Sequence, residues 1–348
     1  MMDVLKPKLI QVEGRCYRFY ESSVWSNIRN ITPYVEDNDE LDDKEDETYA
    51  DIDIIPHGTS KFKHSFHVPK ALFPFIIGSK HATRKRLETE TKTSIQIPNV
   101  GQDGDIVIIG FYKKSIIAVR SRIDLIVESA KSKIKPTHFV SIPVNEGQII
   151  MKFNIFKNAV LHNSERPMRG VDEKIFQTPS KLHLTICALT LLDEAERNQA
   201  IKALEYCKEH IIMPTIKKYG QIKIHLQGTD IMYDDPAEVR VLYASVINSE
   251  GLQEIADQIR DYYHSIGLTR DKNRVKLHVT LLNVKFVADE EEFNSKQKMT
   301  FDATEILKNH HNTLFGETIL KQMHISQMGT ISSDGYYQAT SKINLLDA

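Results

Sequence analysis

Lys181-Leu182-His183-Leu184-Thr185-Ile186 and Lys276-Leu277-His278-Val279-Thr280-Leu281 are one pattern written twice in this chain. Successive side chains of a strand point to opposite faces. Leu182, Leu184 and Ile186 therefore share one face, and Lys181, His183 and Thr185 the other. In the second copy Leu277, Val279 and Leu281 oppose Lys276, His278 and Thr280. The aliphatic faces are expected to pack on helices. The polar faces would be costly to bury without partners, so they are expected to line a cleft.

Two histidines on opposite walls of one cleft suit a phosphodiester. A neutral imidazole takes a proton from the attacking hydroxyl, and its protonated twin delivers one to the departing oxygen. Each transfer is worth ~10²–10⁴-fold, and imidazole has the right pKa for either role. Thr185 and Thr280 lie two residues from their histidines on the same face. From there a hydroxyl donates to a non-bridging phosphoryl oxygen as charge develops. Lys181 and Lys276 either reach substrate at the rim or simply face water.

A single His-x-Thr carries no information; the duplication does. A duplicated fold without activity would leave the same trace. A zinc site is the weaker reading, because no third ligand sits at a suitable spacing. Cys187 falls on the polar parity of the first strand. It is either a thiol nucleophile or a small core residue, and it has no counterpart after His278.

The chain has 348 residues, 41% hydrophobic and 26% charged, which fits a soluble protein of two or three domains. No apolar run reaches the ~20 residues of a membrane span, and no membrane partner is expected. MMDVLKPKLIQ lacks a signal-peptide core, so an intracellular protein is expected. Cys16, Cys187 and Cys207 form no CxxC pair, which argues against a disulfide framework or zinc ribbon. The net charge of −2 hides segregation. Residues 1–57 carry 6 basic and 14 acidic side chains, residues 58–136 carry 15 and 6, and residues 137–348 carry 24 and 27. The central basic block is either a polyanion footprint or a solvated surface.

Three regions follow: 1–57, 58–135 and 136–348. LKPKLIQVEGRCYRFY (5–20) reads as β structure around Glu13-Gly14, and the acidic stretch 35–53 as a disordered linker. In 58–136 the order is βααββα: a strand over 62–68, helices over 72–77 and 82–92, strands over 93–98 and 105–110, and an amphipathic helix over 112–134. From 137 onward strands and helices mix into a two-lobed α+β domain with one His strand per lobe. A helix is expected over 193–211 and a single strand over ETILKQMHISQM (317–328). The segment 288–300 reads as a loop tip.

HLTI (183–186) and HVTL (278–281) resemble the paired motifs of the 2H phosphoesterase (LigT-like) superfamily. That resemblance implies a bilobal fold with pseudo-twofold symmetry and metal-independent, cofactor-free chemistry on RNA phosphodiesters or 2′,3′-cyclic phosphates. It assigns catalysis to His183, Thr185, His278 and Thr280. The basic block resembles a type I KH domain, with IIGSKHATRKRLE (76–88) matching the I-I-G-x-x-G signature. It implies single-stranded RNA, or single-stranded DNA, bound through Gly78, Ser79, Lys80, His81, Arg84 and Lys85. His81 stands where that signature has its second glycine, which puts the usual backbone clamp in question.

The whole architecture is similar to a family of nuclear coactivator subunits. It implies a place in a helicase-containing assembly for transcriptional coactivation and alkylation repair, with residues 3–18 as a docking segment. The leading reading is an RNA-binding phosphodiesterase. Its alternative is a non-catalytic nucleic-acid-binding adaptor, and a third class is a purely structural subunit.

Overall fold

The computed structural model describes residues 8–12, 15–19, 52–99, 101–102, 104–162, 168–232, 235–287 and 299–345. Most of the acidic stretch, residues 3–7 and 13–14 of the docking segment, with the expected Glu13-Gly14 turn, and residues 288–298 of the polar insert lie outside them. Contacts divide the chain into units 1–51 and 52–348. In the first, β1 (Lys8–Val12) and β2 (Arg15–Phe19) form an antiparallel hairpin pairing Lys8 with Phe19.

The second unit begins with a four-stranded antiparallel sheet. Its chain order is β3 (Ile55–His57), β4 (Lys61–Phe66), α1 (Phe73–Ile77), α2 (Ala82–Thr91), β5 (Thr93–Gln96), β6 (Ile106–Gly110) and α3 (Lys113–Lys131), with strands arranged β3-β4-β6-β5. The expected βααββα order is present, and β3 adds an edge that the apolar periodicity did not signal. Ile116, Val119 and Ile123 recur at helical spacing along α3 and are fully buried against Ile95, Ile106 and Ile108 of the sheet. Burying such a side chain is worth about 1.5–3 kcal/mol. Buried His64 donates from Nδ1 to the Asp53 carbonyl (2.9 Å), and its Nε2 accepts from Arg120 (2.9 Å). That pair of bonds ties the segment ahead of β3 to α3.

The C-terminal part is built on one eight-stranded sheet. Its elements are β7 (His138–Pro143), α4 (Gly147–His162), β8 (His183–Leu189), α5 (Glu194–Cys207), α6 (Met213–Tyr219), β9 (Lys223–Ile231), β10 (Val241–Ile247), α7 (Glu250–Ser265), β11 (His278–Asn283), α8 (Thr304–His310), β12 (Leu314–Ile319), β13 (Gln322–Ile331) and β14 (Tyr337–Asn344). The helix expected to stop at 211 runs on: a π-helical turn, Lys208–Ile212, joins α5 to α6, which ends at Gly220. The single strand expected over 317–328 is two. β12 ends at Ile319, and β13 starts at Gln322 in a different part of the sheet.

The strand order is β12-β9-β10-β11-β8-β7-β13-β14. β12 and β13 are far apart in that order, yet only Leu320 and Lys321 connect them. An extended chain covers at most about 3.6 Å per residue, so the sheet must curl until its two ends approach. Buried Leu320 and its amide bond to the Ile222 carbonyl (2.9 Å) hold the crossing point. The order is also symmetric about the β8–β11 pair. β7 matches β10, β13 matches β9, and β14 matches β12. Each half supplies one His strand, preceded by a strand and a helix, as the duplicated pattern implies.

Within this unit the sheet domain meets the preceding one through charged contacts. Lys131, at the end of α3, pairs with Glu196 of α5 at 2.7 Å, with side chains 14% and 12% exposed. His67 reaches Asp193 (2.7 Å), and Arg270 donates to the Lys131 carbonyl. Asp193 and Glu196 also cap α5. The Asp193 carboxylate accepts from the Glu196 amide (2.9 Å), and Glu196 accepts from the Leu192 amide (2.7 Å). One pair of carboxylates thus satisfies helix-start amides and docks the neighbouring domain.

Candidate active site

β8 and β11 run antiparallel with Leu184 opposite Val279. Extending that register puts Thr185 across from His278 and His183 across from Thr280. Directly opposed residues on one face lie about 4.5–5.5 Å apart. Each histidine is therefore beside the other strand's threonine, and the local twofold axis passes between Leu184 and Val279. All four side chains are partly exposed, while Leu182, Leu184, Ile186, Leu277, Val279 and Leu281 are buried. The two expected faces are both present.

The two copies match in finer detail. His183 Nδ1 is 2.7 Å from the Lys181 carbonyl, and His278 Nδ1 is 2.6 Å from the Lys276 carbonyl. A carbonyl only accepts, so Nδ1 carries the hydrogen in both rings. Nε2 is then the nitrogen free to exchange a proton with a ligand. Among the described residues neither threonine hydroxyl is drawn into another bond.

Each strand also has a bulge just past its threonine. On β8 the partners step from Thr185↔Ser141 to Cys187↔Val140, leaving Ile186 extra. On β11 they step from Thr280↔Tyr243 to Leu282↔Leu242, leaving Leu281 extra. An extra residue shifts the side-chain alternation by one. This corrects the polar-face parity expected for Cys187 and decides for the small core residue over the nucleophile: the bulge turns it into the core, 1% exposed. Burial pushes its thiol far above the ordinary range, so it stays protonated and inert.

Lys181 and Lys276 precede the strands rather than belonging to them. Lys181 Nζ stands 5.6 Å from the Tyr337 ring centre, and Lys276 Nζ 4.8 Å from that of Tyr243. Those tyrosines meet the histidines edge-on, Tyr337 at 5.3 Å from His183 and Tyr243 at 5.2 Å from His278. Each half thus holds a Lys–Tyr–His series, which lodges the lysines at the rim. The sequence reading missed the tyrosines because no local spacing links them to the motifs. Tyr243 comes from a neighbouring strand and Tyr337 from the final one.

The surroundings differ. His183 also packs against Phe139 (5.0 Å) and Tyr336 (6.4 Å). Burial pulls its pKa down to about 4, against the Lys181 carbonyl and with the charge of His278. His278 is lowered too, mainly by burial, against the bond to the Lys276 carbonyl and with the charge of the Lys276 ammonium. Both rings are neutral at pH 7 in the free protein. Among the described residues no three His, Cys, Asp or Glu side chains are grouped to hold a metal ion, and no helix is long and apolar enough to cross a membrane.

The basic domain presents its loop between α1 and α2. Gly78 has φ 72°, and a Cβ there would come within 2.2 Å of Thr83 Oγ1, so only glycine fits. Lys80 and His81 also adopt left-handed backbone, at φ 49° and 62°. His81 therefore holds a glycine-like conformation at the position of the missing glycine, at a cost of about 1–2 kcal/mol. Ser79, Lys80, His81 and Lys85 are exposed. Arg84 is half-buried and paired to Glu88 (3.2 Å), which sets it apart from the two lysines.

Residues 136–345 match the family model described as AKAP7 2'5' RNA ligase-like domain, and residues 63–125 match the KH domain model. The chain is 35% identical to mouse activating signal cointegrator 1 complex subunit 1, over 99% of both chains. It is 27% identical to human A-kinase anchor protein 7 isoform gamma, over 62% of this chain and 60% of that one. Among solved structures, TT0787 of Thermus thermophilus aligns with 60% of this chain and 97% of its own, with TM-score 0.38 and 15% identity. At those values the likeness carries no chemistry across.

Proposed function

We propose, for a chain that belongs to the AKAP7 2′5′ RNA ligase-like family over residues 136–345 and to the family of activating signal cointegrator 1 complex subunit 1 along its length, an RNA-binding, metal-independent phosphodiesterase acting on RNA ends or 2′,3′-cyclic phosphates. The observation that carries this reading is the crosswise register that sets each histidine beside the opposite threonine. In hydrolysis of a 2′,3′-cyclic phosphate, one neutral His takes a proton from water as its oxygen attacks phosphorus. The other, protonated, gives its proton to the departing ribose oxygen. Thr185 and Thr280 donate to the non-bridging oxygens as negative charge grows.

Both imidazoles are neutral in the free protein, so the acid's proton is taken up from solvent when the substrate binds. The negative phosphate raises a neighbouring imidazole pKa. Binding at pH 7 then takes up a proton, which calorimetry in buffers of different ionisation enthalpy reads directly. Lys181 and Lys276 add positive charge at the rim.

In the proposed division of labour, residues 58–135 bind single-stranded RNA through Gly78, Ser79, Lys80, His81, Arg84 and Lys85, and residues 136–348 carry the chemistry. Residues 1–57 hold the docking segment and linker of a subunit in a nuclear, helicase-containing coactivator and alkylation-repair complex. Mass spectrometry of products from a panel of RNA ends and cyclic phosphates tests the catalytic part, with EDTA leaving turnover unchanged. RNA binding without turnover of any member would replace this reading with the non-catalytic adaptor. Lys80→Glu with Lys85→Glu should weaken RNA binding and flatten its salt slope by about 1–1.5, the effect of two lost phosphate contacts on a single strand.

A further inference from the structure

The segment 269–276, Thr-Arg-Asp-Lys-Asn-Arg-Val-Lys, leads into β11 and walls a cavity of about 450 Å³ whose lining includes Thr185 and His278. Its backbone is held from behind. Arg260 of α7 is 5% exposed and donates to the carbonyls of Lys272 and Asn273. Buried Val275 donates its amide to Asp257 (2.8 Å), and its carbonyl accepts from Gln253 (2.9 Å).

The acids nearby are already engaged. Asp271 accepts the Ala188 amide at the end of β8 (3.0 Å), and Asp261 pairs with Arg260 (3.0 Å). Asp257 accepts from the Val275 amide and from Gln253 Nε2 (2.9 Å), with Arg260 at 3.8 Å and Arg274, whose side chain is 78% exposed, at 3.7 Å. Lys272, Arg274 and Lys276 are exposed along the wall.

The symmetry-related position carries half as many bases. There, segment 172–181 lies along the end of β11, where the Gln177 amide bonds the Leu281 carbonyl (2.8 Å). The eight residues that match 269–276, 174–181, hold Lys174 and Lys181 and no acid, against four bases and one acid in 269–276. The cationic wall is therefore richer in bases than its twofold counterpart, and it lines the same cavity as Thr185 and His278.

We propose that this wall is a second phosphate subsite, which takes a neighbouring phosphate of the same nucleotide and makes the cleft selective for substrates carrying two phosphates over a lone cyclic or monoesterified one. It gives the near-symmetric cleft a direction, because the substrate's second phosphate leaves on the Thr185–His278 side. The inference rests on the proposed phosphodiester site, which supplies the first phosphate position.

The test is equilibrium binding of adenosine 3′-monophosphate and adenosine 3′,5′-bisphosphate to the full chain at fixed ionic strength. The bisphosphate should bind at least 10-fold tighter. Lys272→Gln with Arg274→Gln should cut that advantage below 2-fold, with thermal melts verifying the fold. Affinities within 2-fold of each other in the unaltered protein overturn the subsite, as does an advantage that survives the double substitution or failure of either nucleotide to bind at millimolar concentration. This readout needs no turnover. If no RNA end or cyclic phosphate is cleaved, the catalytic reading falls while the bisphosphate comparison still decides the subsite.

Discussion

The half of the sheet around β8 and the half around β11 repeat one another down to hydrogen bonds. Each has a His held through Nδ1 by the carbonyl two residues earlier, a Thr on the same face, a bulge after the Thr, and a Lys above a Tyr that meets the His edge-on. They differ in what else surrounds the imidazole. Phe139, Tyr336 and Tyr337 crowd His183, whereas His278 has Tyr243 and the cationic segment before its strand. The repeated part is what the proposed acid–base chemistry would use twice. The unrepeated part is what, under the proposed second phosphate subsite, would tell one end of a substrate from the other.

The strongest way to break the comparison is to remove one imidazole at a time. His183→Ala and His278→Ala should each lower kcat by ~100-fold or more, the low end for a lost acid or base. Either variant keeping a tenth of the activity would mean that the halves do not act as a pair. Thr185→Val and Thr280→Val should each cost a little less, about 10²-fold at most, with KM nearly unchanged, because these donors act mainly on charge in the transition state. Opposite behaviour of the two threonines would break the symmetry at the phosphate itself.

Tyr337→Ala sharpens the difference. It rehydrates His183, whose depressed pKa should rise toward the ordinary ~6.5. If His183 must be neutral in the free enzyme, the acid limb of the kcat/KM profile should move up by about one pH unit. An unmoved limb would assign the neutral role to His278. The smallest effect is on stability. His183 titrates near 4 when folded and near ~6.5 when unfolded, so the unfolded chain binds more protons between those values. Stability therefore falls as pH drops from 6.5 toward 4, by about 1.5 kcal/mol in the first pH unit and a half. His183→Gln should flatten that slope in denaturant melts at pH 5 and 7.

Several features were legible in the chain because they depend on local periodicity. Alternation along 182–186 and 277–281 separated core from cleft, and Ile116, Val119 and Ile123 marked the buried face of α3. The parity rule failed at Cys187 because a bulge is set by pairing with β7, not by residues 181–187 themselves. It failed again at 317–328, where one apolar run spans a crossing between two parts of the sheet. The tyrosines beside the histidines escaped for the same reason: strands remote in the chain bring them there.

The sequence alone determined that two His–Thr strands exist, which side chains share a face, and that a basic βααββα unit precedes them. Those are consequences of the two-residue period of a strand and the helical period of α3, readable within a dozen residues. Only the tertiary structure decided that Leu184 faces Val279, and hence that each His lies beside the other strand's Thr. It also decided that the bulges turn Cys187 inward, and that one half is crowded with aromatic rings while the other opens on a cationic wall. Register, curl and neighbours are set by contacts between distant segments, and the free energy that selects among them belongs to the packed sheet as a whole.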